Sequence, residues 1–248
     1  MFEQRLDRAR RLQQRETTLK ANLNACHLYG ILDLGYVDDE AVPGIAEAMI
    51  EGGVDVIQLR GKQRSISELT DMAGVLHDIT HRSSTPLIAN DHAEIATEVP
   101  VEGVHVGQDD DPVELVRKKA RRNLWVGKST HSLEQAIEAQ QEGADYIGFG
   151  PLFATPTKPD YKPIGLTDVA RVHQDVGLPI FCIGGITIEN LEQVIAAGAR
   201  RVAIVSGMLK ASDITQYARM AKDVLALKSE IRKVPGRLGP KSETNPND

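Results

Sequence analysis

Short apolar runs alternate with amphipathic segments along most of the chain. The segments between the runs, such as SISELTDMAGVLHDIT and SLEQAIEAQQEG, carry apolar residues at helical spacing. Continuous apolar runs predict strands buried on both faces, as in a parallel sheet covered by helices. The runs are HLYGILD (27–33), VDVIQLR (54–60), PLIAN (86–90), GVHVG (103–107), LWVGKS (124–129), ADYIGFG (144–150), PIFCIGG (179–185) and RVAIVSG (201–207).

Helix boundary signals support this alternation. Ser65 precedes Glu68 by three residues, which is the spacing of a capping box. Asp111 and Pro112, followed by Glu114, predict a helix with an aspartate N-cap and a proline at its first position. Glycines are expected to end helices at Gly52, Gly143 and Gly198.

One structural unit recurs along the chain. EGGVDVIQLR, EGADYIGFG and AAGARRVAIVSG each read as a helix end, a glycine and a buried strand. Eight such strands alternating with helices predict a single (β/α)₈ barrel, for which about 250 residues is typical. An open doubly wound sheet is the alternative, but no G-x-G-x-x-G follows the first strand.

The barrel is assigned to residues 23–227. Residues 1–22 hold strong helix formers with a thin apolar stripe, which predicts a helical extension on the surface. Residues 228–248 are rich in Lys, Pro, Gly, Asn and Ser, which predicts a disordered C-terminal tail.

Composition narrows the class of protein. The net charge of −6 argues against a nucleic-acid binder. No run of about 18 apolar residues could span a membrane, and the N-terminus lacks the apolar core of a secretory signal. Cys26 and Cys182 are the only cysteines, and they lie far apart in the sequence. So few cysteines exclude a disulfide scaffold and a cysteine-rich zinc site, and they predict a protein of a reducing compartment such as the cytoplasm. The sequence leaves homo-oligomer formation open.

Polar residues gather where the predicted strands end, which is where barrel enzymes carry their chemistry. Strand alternation points Gln58, Arg60 and Lys62 to one side after the second strand. Two cations and an amide beside a barrel mouth suit a polyanion such as a diphosphate. The alternative is an ordinary solvated basic loop.

Carboxylates follow the next two strands. Asn90 and Asp91 end the third strand, and Asp109 and Asp110 follow the fourth. Oxygen ligands without cysteine or paired histidine favour Mg²⁺ bridged to substrate phosphates. Helix capping is the alternative, by Asp91 and especially by Asp111.

The remaining strand ends suggest a second anion site. Ser129 ends the fifth strand, and a long proline-rich loop after the sixth carries Thr155, Thr157 and Lys158. Helices begin just after Gly184–Gly185 and Val205–Ser206, which predicts a monophosphate site after strands seven and eight.

Other single residues have milder interpretations. Trp125 and Cys182 are predicted to be core residues, and His105 to be buried structure rather than catalytic. His131 is either a proton carrier or a residue at the start of a helix.

The ordered motifs resemble the thiamine-phosphate synthase family over residues 27–225. The resemblance implies a TIM-barrel transferase that joins a hydroxymethylpyrimidine diphosphate to a thiazole phosphate with Mg²⁺, releasing diphosphate. Two positions depart from the family pattern, Gly61 and Lys128. The motifs are QLRGK (58–62), IAND (88–91), HVGQDD (105–110), KSTHS (128–132), GPLFATPTK (150–158), IGGI (183–186) and IVSG (204–207).

The same resemblance implies roles for individual residues. Asp91 and Asp110 would hold Mg²⁺. Catalytic contributions are implied for Arg60, Lys62, Ser129 and Lys158. Pyrimidine diphosphate would contact Gln58, Arg60, Lys62, Asn90, Ser129 and Lys158. Thiazole phosphate would contact Thr155, Thr157, Gly185, Val205 and Ser206.

Two other hypotheses remain at this point. A related thiazole tautomerase shares the barrel but needs no pyrimidine diphosphate or Mg²⁺. A non-catalytic phosphate binder would lack a full metal or diphosphate set. In either case the predicted partners are phosphorylated small molecules.

Overall fold

The computed structural model describes residues 23–157 and 162–233. Eight parallel strands form a closed barrel in which each strand pairs with the next and β8 pairs with β1. The predicted (β/α)₈ barrel is therefore confirmed. The strands are β1 (Leu28–Asp33), β2 (Val56–Arg60), β3 (Leu87–Asn90), β4 (Gly103–Val106), β5 (Trp125–Thr130), β6 (Tyr146–Phe149), β7 (Ile180–Cys182) and β8 (Val202–Ile204).

Helices surround the barrel on its outer face. A short 3₁₀ turn (Asp39–Ala41) precedes the first of them. The last helix continues through Lys233, which is six residues into the segment 228–248 that the sequence assigns to the tail. The predicted extension 1–22, residues 158–161 and residues 234–248 lie outside the described residues. The helices are α1 (Val42–Glu51), α2 (Ile66–Ser83), α3 (Ile95–Glu98), α4 (Val113–Ala120), α5 (Leu133–Gln141), α6 (Val169–Asp175), α7 (Ile188–Ala196), α8 (Ser206–Leu209) and α9 (Ile214–Lys233).

One predicted helix cap is confirmed and another is wrong. Ser65 and Glu68 form a capping box at the start of α2. Asp111 does not cap α4, because Pro112 is in an extended conformation (ψ 150°) and occupies the N-cap position itself. The Asp111 carboxylate instead forms an ion pair with Lys119 at 2.6 Å.

The apolar residues form two cores. The larger lies between the barrel wall and the helices and includes Cys182, which is fully buried. The smaller fills the barrel interior with Tyr29, Trp125, Tyr146 and Phe181, and Leu23 packs with this cluster. Trp125 and Cys182 are thus core residues, as predicted. Within the described ranges, no helix is long and apolar enough to cross a membrane.

Carboxylates tie the strands together at the amino end of the barrel. Asp55, just before β2, accepts hydrogen bonds from the backbone amides of His27 (2.7 Å) and Leu28 (2.9 Å). It also pairs with Lys222 on α9. Asp145, just before β6, accepts from the Val126 amide at 2.8 Å. These interactions tie the amino ends of neighbouring strands to one another and to the surrounding helices.

Candidate active site

A pocket opens at the carboxyl ends of the strands. It encloses about 750 Å³ of space not filled by atoms, part of which is open to solvent. Lys158 lies outside the described residues. Nine of the predicted site residues line the pocket: Gln58, Arg60, Asn90, Ser129, Thr155, Thr157, Gly185, Val205 and Ser206.

Arg60 is held by a carboxylate that the sequence interpretation missed. Its guanidinium contacts Asp33, the last residue of β1, and both side chains are largely buried. Asp33 also accepts a hydrogen bond from the Gly35 amide at 3.0 Å. Because β1 and β2 are neighbours and Asp33 pairs in register with Arg60, the guanidinium is fixed at the pocket wall. The sequence did hold a signal for Asp33, because it is a charged residue at the end of the apolar run that forms β1.

Lys62, Asp91 and Asp110 form a charged cluster beside the pocket. The Lys62 ammonium lies 2.5 Å from Asp91 and is half exposed. Burial raises the pKa of the Asp91 carboxyl; the Lys62 ammonium opposes this, and the neighbouring Asp110 carboxyl adds to it. Asp110 also accepts from the Gly107 amide at 2.6 Å. Asp91 has a left-handed backbone (φ 63°), a conformation that asparagine and aspartate tolerate better than most residues.

The paired carboxylates are suited to a hard divalent cation. They are close enough to disfavour each other's charge, and a cation between them would remove that repulsion. No group of three or more His, Cys, Asp or Glu side chains in the described ranges could hold a metal. A cation here would therefore complete its coordination with water and phosphate oxygens, which is the habit of Mg²⁺.

Glycines shape the opposite side of the pocket, at the end of β7. Gly184 (φ 96°) and Gly185 (φ 64°) both adopt left-handed conformations. A Cβ on Gly185 would lie 2.5 Å from the Ala154 carbonyl oxygen and 2.8 Å from the Phe153 Cβ. The lack of a side chain at Gly185 therefore makes room for the loop after β6. The sequence had suggested only that this position binds a phosphate.

The loop after β6 is held down from the β1 side. The Tyr36 hydroxyl hydrogen-bonds the Thr157 hydroxyl at 3.0 Å. The Lys210 ammonium, just after α8, lies 5.0 Å from the centre of the Tyr36 ring. Tyr36 thus joins the loops after β1, β6 and β8 at the pocket rim, a role that the sequence did not reveal.

The two histidines of the motifs both line the pocket. His131 precedes α5, and its ring contacts the Gly150 carbonyl. His105 was expected to be buried structure; its ring in fact reaches the pocket, where Nε2 lies 3.0 Å from the Ser129 hydroxyl. The error arose because β4 is short and His105 lies near its open end.

The geometry defines a (β/α)₈ barrel with a polar pocket at the carboxyl ends of its strands. A sequence model of the family described as "Thiamine monophosphate synthase" matches residues 28–208. The chain therefore belongs to the thiamine monophosphate synthase family, a family of transferases of thiamine biosynthesis.

Individual relatives support the assignment. A thiamine-phosphate synthase of Chloroflexus aurantiacus is 42% identical over 204 residues, covering 82% of this chain and 94% of the relative. Another, from Halalkalibacterium halodurans, is 40% identical over 199 residues, covering 80% and 94%. The solved thiamine phosphate pyrophosphorylase of Pyrococcus furiosus is 30% identical with a TM-score of 0.75, covering 83% of this chain and 98% of that one.

Proposed function

We propose that this chain condenses 4-amino-2-methyl-5-(diphosphooxymethyl)pyrimidine with 4-methyl-5-(2-phosphooxyethyl)thiazole, or its carboxylated precursor, to give thiamine phosphate and diphosphate. The observation that carries the proposal is that one barrel mouth brings together two polar corners of different chemistry, each suited to a phosphate group in its own way. Lys62 follows β2 and the paired carboxylates follow β3 and β4, whereas the glycine corner follows β7 and β8 on the opposite side.

The diphosphate would bind on the β2–β4 side. Arg60 is buried against Asp33, so its position is fixed before substrate arrives, whereas the half-exposed Lys62 is paired with Asp91. Fixed cations stabilise charge that grows on a leaving group without the cost of reorganising at the moment of reaction. Mg²⁺, when bound by Asp91 and Asp110, would supply further stabilisation of that leaving-group charge. Gln58, Asn90 and Ser129 line the adjoining wall, where the pyrimidine and its diphosphate would meet.

The thiazole phosphate would bind across the pocket. Thr155 and Thr157 contribute hydroxyls from the loop after β6. Gly185, Val205 and Ser206 contribute backbone near the starts of α7 and α8. Bound in this way, the thiazole would face the pyrimidine across the pocket.

The described residues suit a dissociative reaction, in which diphosphate leaves and the thiazole nitrogen captures the pyrimidine methylene cation. Such a reaction needs no protein nucleophile. Burial raises the pKa of both Cys26 and Cys182 to about 12, so neither thiol is poised as a thiolate. Asp33 and Asp91 are engaged by cations. The chemistry then depends on holding the reactants and stabilising the departing charge.

The direct test incubates purified full-length protein with both substrates, with Mg²⁺ and after chelation. We expect thiamine phosphate and diphosphate to form in equal amounts, only with the metal and only with both substrates. If chelation left the amount of product unchanged, the metal assignment would be contradicted. Rearrangement of the thiazole alone, without the pyrimidine diphosphate, would favour the tautomerase hypothesis instead.

A further inference from the structure

A chain of polar side chains crosses the barrel interior just below the pocket. Gln58 Nε2 donates to the Tyr29 hydroxyl (2.9 Å), which lies 3.1 Å from the Tyr146 hydroxyl. Tyr146 lies 3.2 Å from His105 Nδ1, and His105 Nε2 lies 3.0 Å from the Ser129 hydroxyl. We call these five side chains, Gln58, Tyr29, Tyr146, His105 and Ser129, the relay. Its two ends, Gln58 and Ser129, line the pocket.

The relay is rigidly built. Gln58, Tyr29 and Tyr146 are each at most 2% exposed. Phe181 meets the rings of Tyr29 and Tyr146 edge-on, at 88° and 85°, which fixes the directions of both hydroxyls.

β5 also makes room for the relay. A Cβ on Gly127 would lie 2.1 Å from Tyr146 Cζ and 2.5 Å from His105 Nδ1. A glycine at that strand position is therefore required by the relay and not by any turn, since Gly127 lies inside β5.

Proton counting gives the relay a direction. The Gln58 amide nitrogen can only donate, so Tyr29 accepts there and directs its own proton to Tyr146. Tyr146 then directs its proton to His105 Nδ1. Burial raises the pKa of both tyrosines, so each keeps the proton that this sequence of donors needs.

We propose that this relay fixes His105 with its proton on Nε2, so that Ser129 accepts from the ring and presents its own O–H to the ligand. Tyr29, Tyr146 and His105 are positioning residues, because they act through Ser129. The inference deepens the proposed function. An O–H aimed at a pocket where a diphosphate departs would stabilise the negative charge that develops there.

The tautomer can be measured on the free full-length protein. Nitrogen NMR of histidine-labelled protein, with His105 identified by its loss in His105→Asn, reports which ring nitrogen carries the proton. We expect Nε2–H alone in the wild type. Tyr146→Phe and Gln58→Met each remove a donor upstream of the ring, so both should give a mixture of tautomers. Trp125→Phe is the matched control, because Trp125 is a buried interior aromatic whose Nε1 has no hydrogen-bond partner. The control should keep the wild-type tautomer.

Kinetics supply the second readout. We expect Tyr146→Phe to lower kcat about tenfold, the effect of one lost hydrogen bond, while the KM for thiazole phosphate stays within about twofold. Trp125→Phe should keep the wild-type kcat.

The results separate the proposals. A wild-type ring protonated on Nδ1, or a pure Nε2–H tautomer in both upstream variants, would overturn the relay. If Tyr146→Phe fails to fold, Gln58→Met alone decides by the tautomer. An inactive wild type with the expected tautomers would count against the proposed function and leave the relay intact.

Discussion

The two ends of the barrel use carboxylates in opposite ways. At the amino end, Asp55 and Asp145 accept backbone amides from neighbouring strands and pair with a cation from a surrounding helix. At the carboxyl end, Asp91 faces Asp110 and a half-exposed lysine, beside a pocket. Carboxylates satisfied by backbone donors hold the strands in register, whereas carboxylates that face each other at a pocket are ready for a ligand.

The largest effect should come from the carboxyl-end carboxylates. Asp91→Asn and Asp110→Asn keep shape but remove charge, so each should lower kcat/KM by at least about a thousandfold, equivalent to several kcal/mol of lost metal stabilisation. Steady-state kinetics with Mg²⁺ measure this. The melting temperatures of the two variants should stay within a few degrees of the wild type. Near-normal Mg²⁺-dependent turnover in both variants would show that the metal binds elsewhere.

Two glycines with left-handed backbones extend the comparison. Gly185→Ala at the carboxyl end meets the Ala154 carbonyl at 2.5 Å, whereas a Cβ on Gly143 at the amino end meets nothing within 4 Å. Gly185→Ala should raise the KM for thiazole phosphate by about a hundredfold through displacement of the β6 loop, and the KM for pyrimidine diphosphate much less. Gly143→Ala carries the backbone strain without the clash and should leave both constants unchanged. Equal kinetic effects at the two positions would mean that strain alone is responsible.

Asp55→Ala should separate stability from activity at the amino end. The variant leaves Lys222 and the backbone amides of His27 and Leu28 without their acceptor. Because the ion pair of Asp55 with Lys222 is partly exposed, the free energy of unfolding should fall by only about 2 kcal/mol. For a chain of this size, the melting temperature should fall by roughly 4–8 °C. The kcat measured below the transition should be unchanged. A kcat that fell with the melting temperature would show that the two ends are coupled.

The smallest effect should come from Tyr36→Phe, which removes only the hydroxyl that holds Thr157. Loss of one hydrogen bond at a half-buried site should raise the KM for thiazole phosphate by about fivefold, with kcat and the other KM nearly constant. Combining it with Thr157→Val should add little. An additive double variant would show that the two hydroxyls act independently.

Strand positions and strand-end residues were predictable because each depends on neighbouring sequence. The eight apolar runs marked the barrel, and the polar residues after them marked the pocket. The partners were not predictable, because Asp33 with Arg60 and Tyr36 with Thr157 meet only after the barrel closes. The partners of His105 were unpredictable for the same reason, since Tyr146 and Ser129 come from other strands.

The seam between β1 and β8 has a consequence for synthesis on the ribosome. Leu28 of β1 pairs with Val202 of β8, and α9 then packs against this side through Lys222 and Asp55. At translation rates of about 5–20 residues per second, the edge of β1 waits roughly 10–35 s for its partner to emerge. An unpaired apolar edge is a template for wrong pairing. Ribosome-bound chains stalled before residue 202 should therefore bind chaperones. Chains in which α9 has emerged from the ribosome should not.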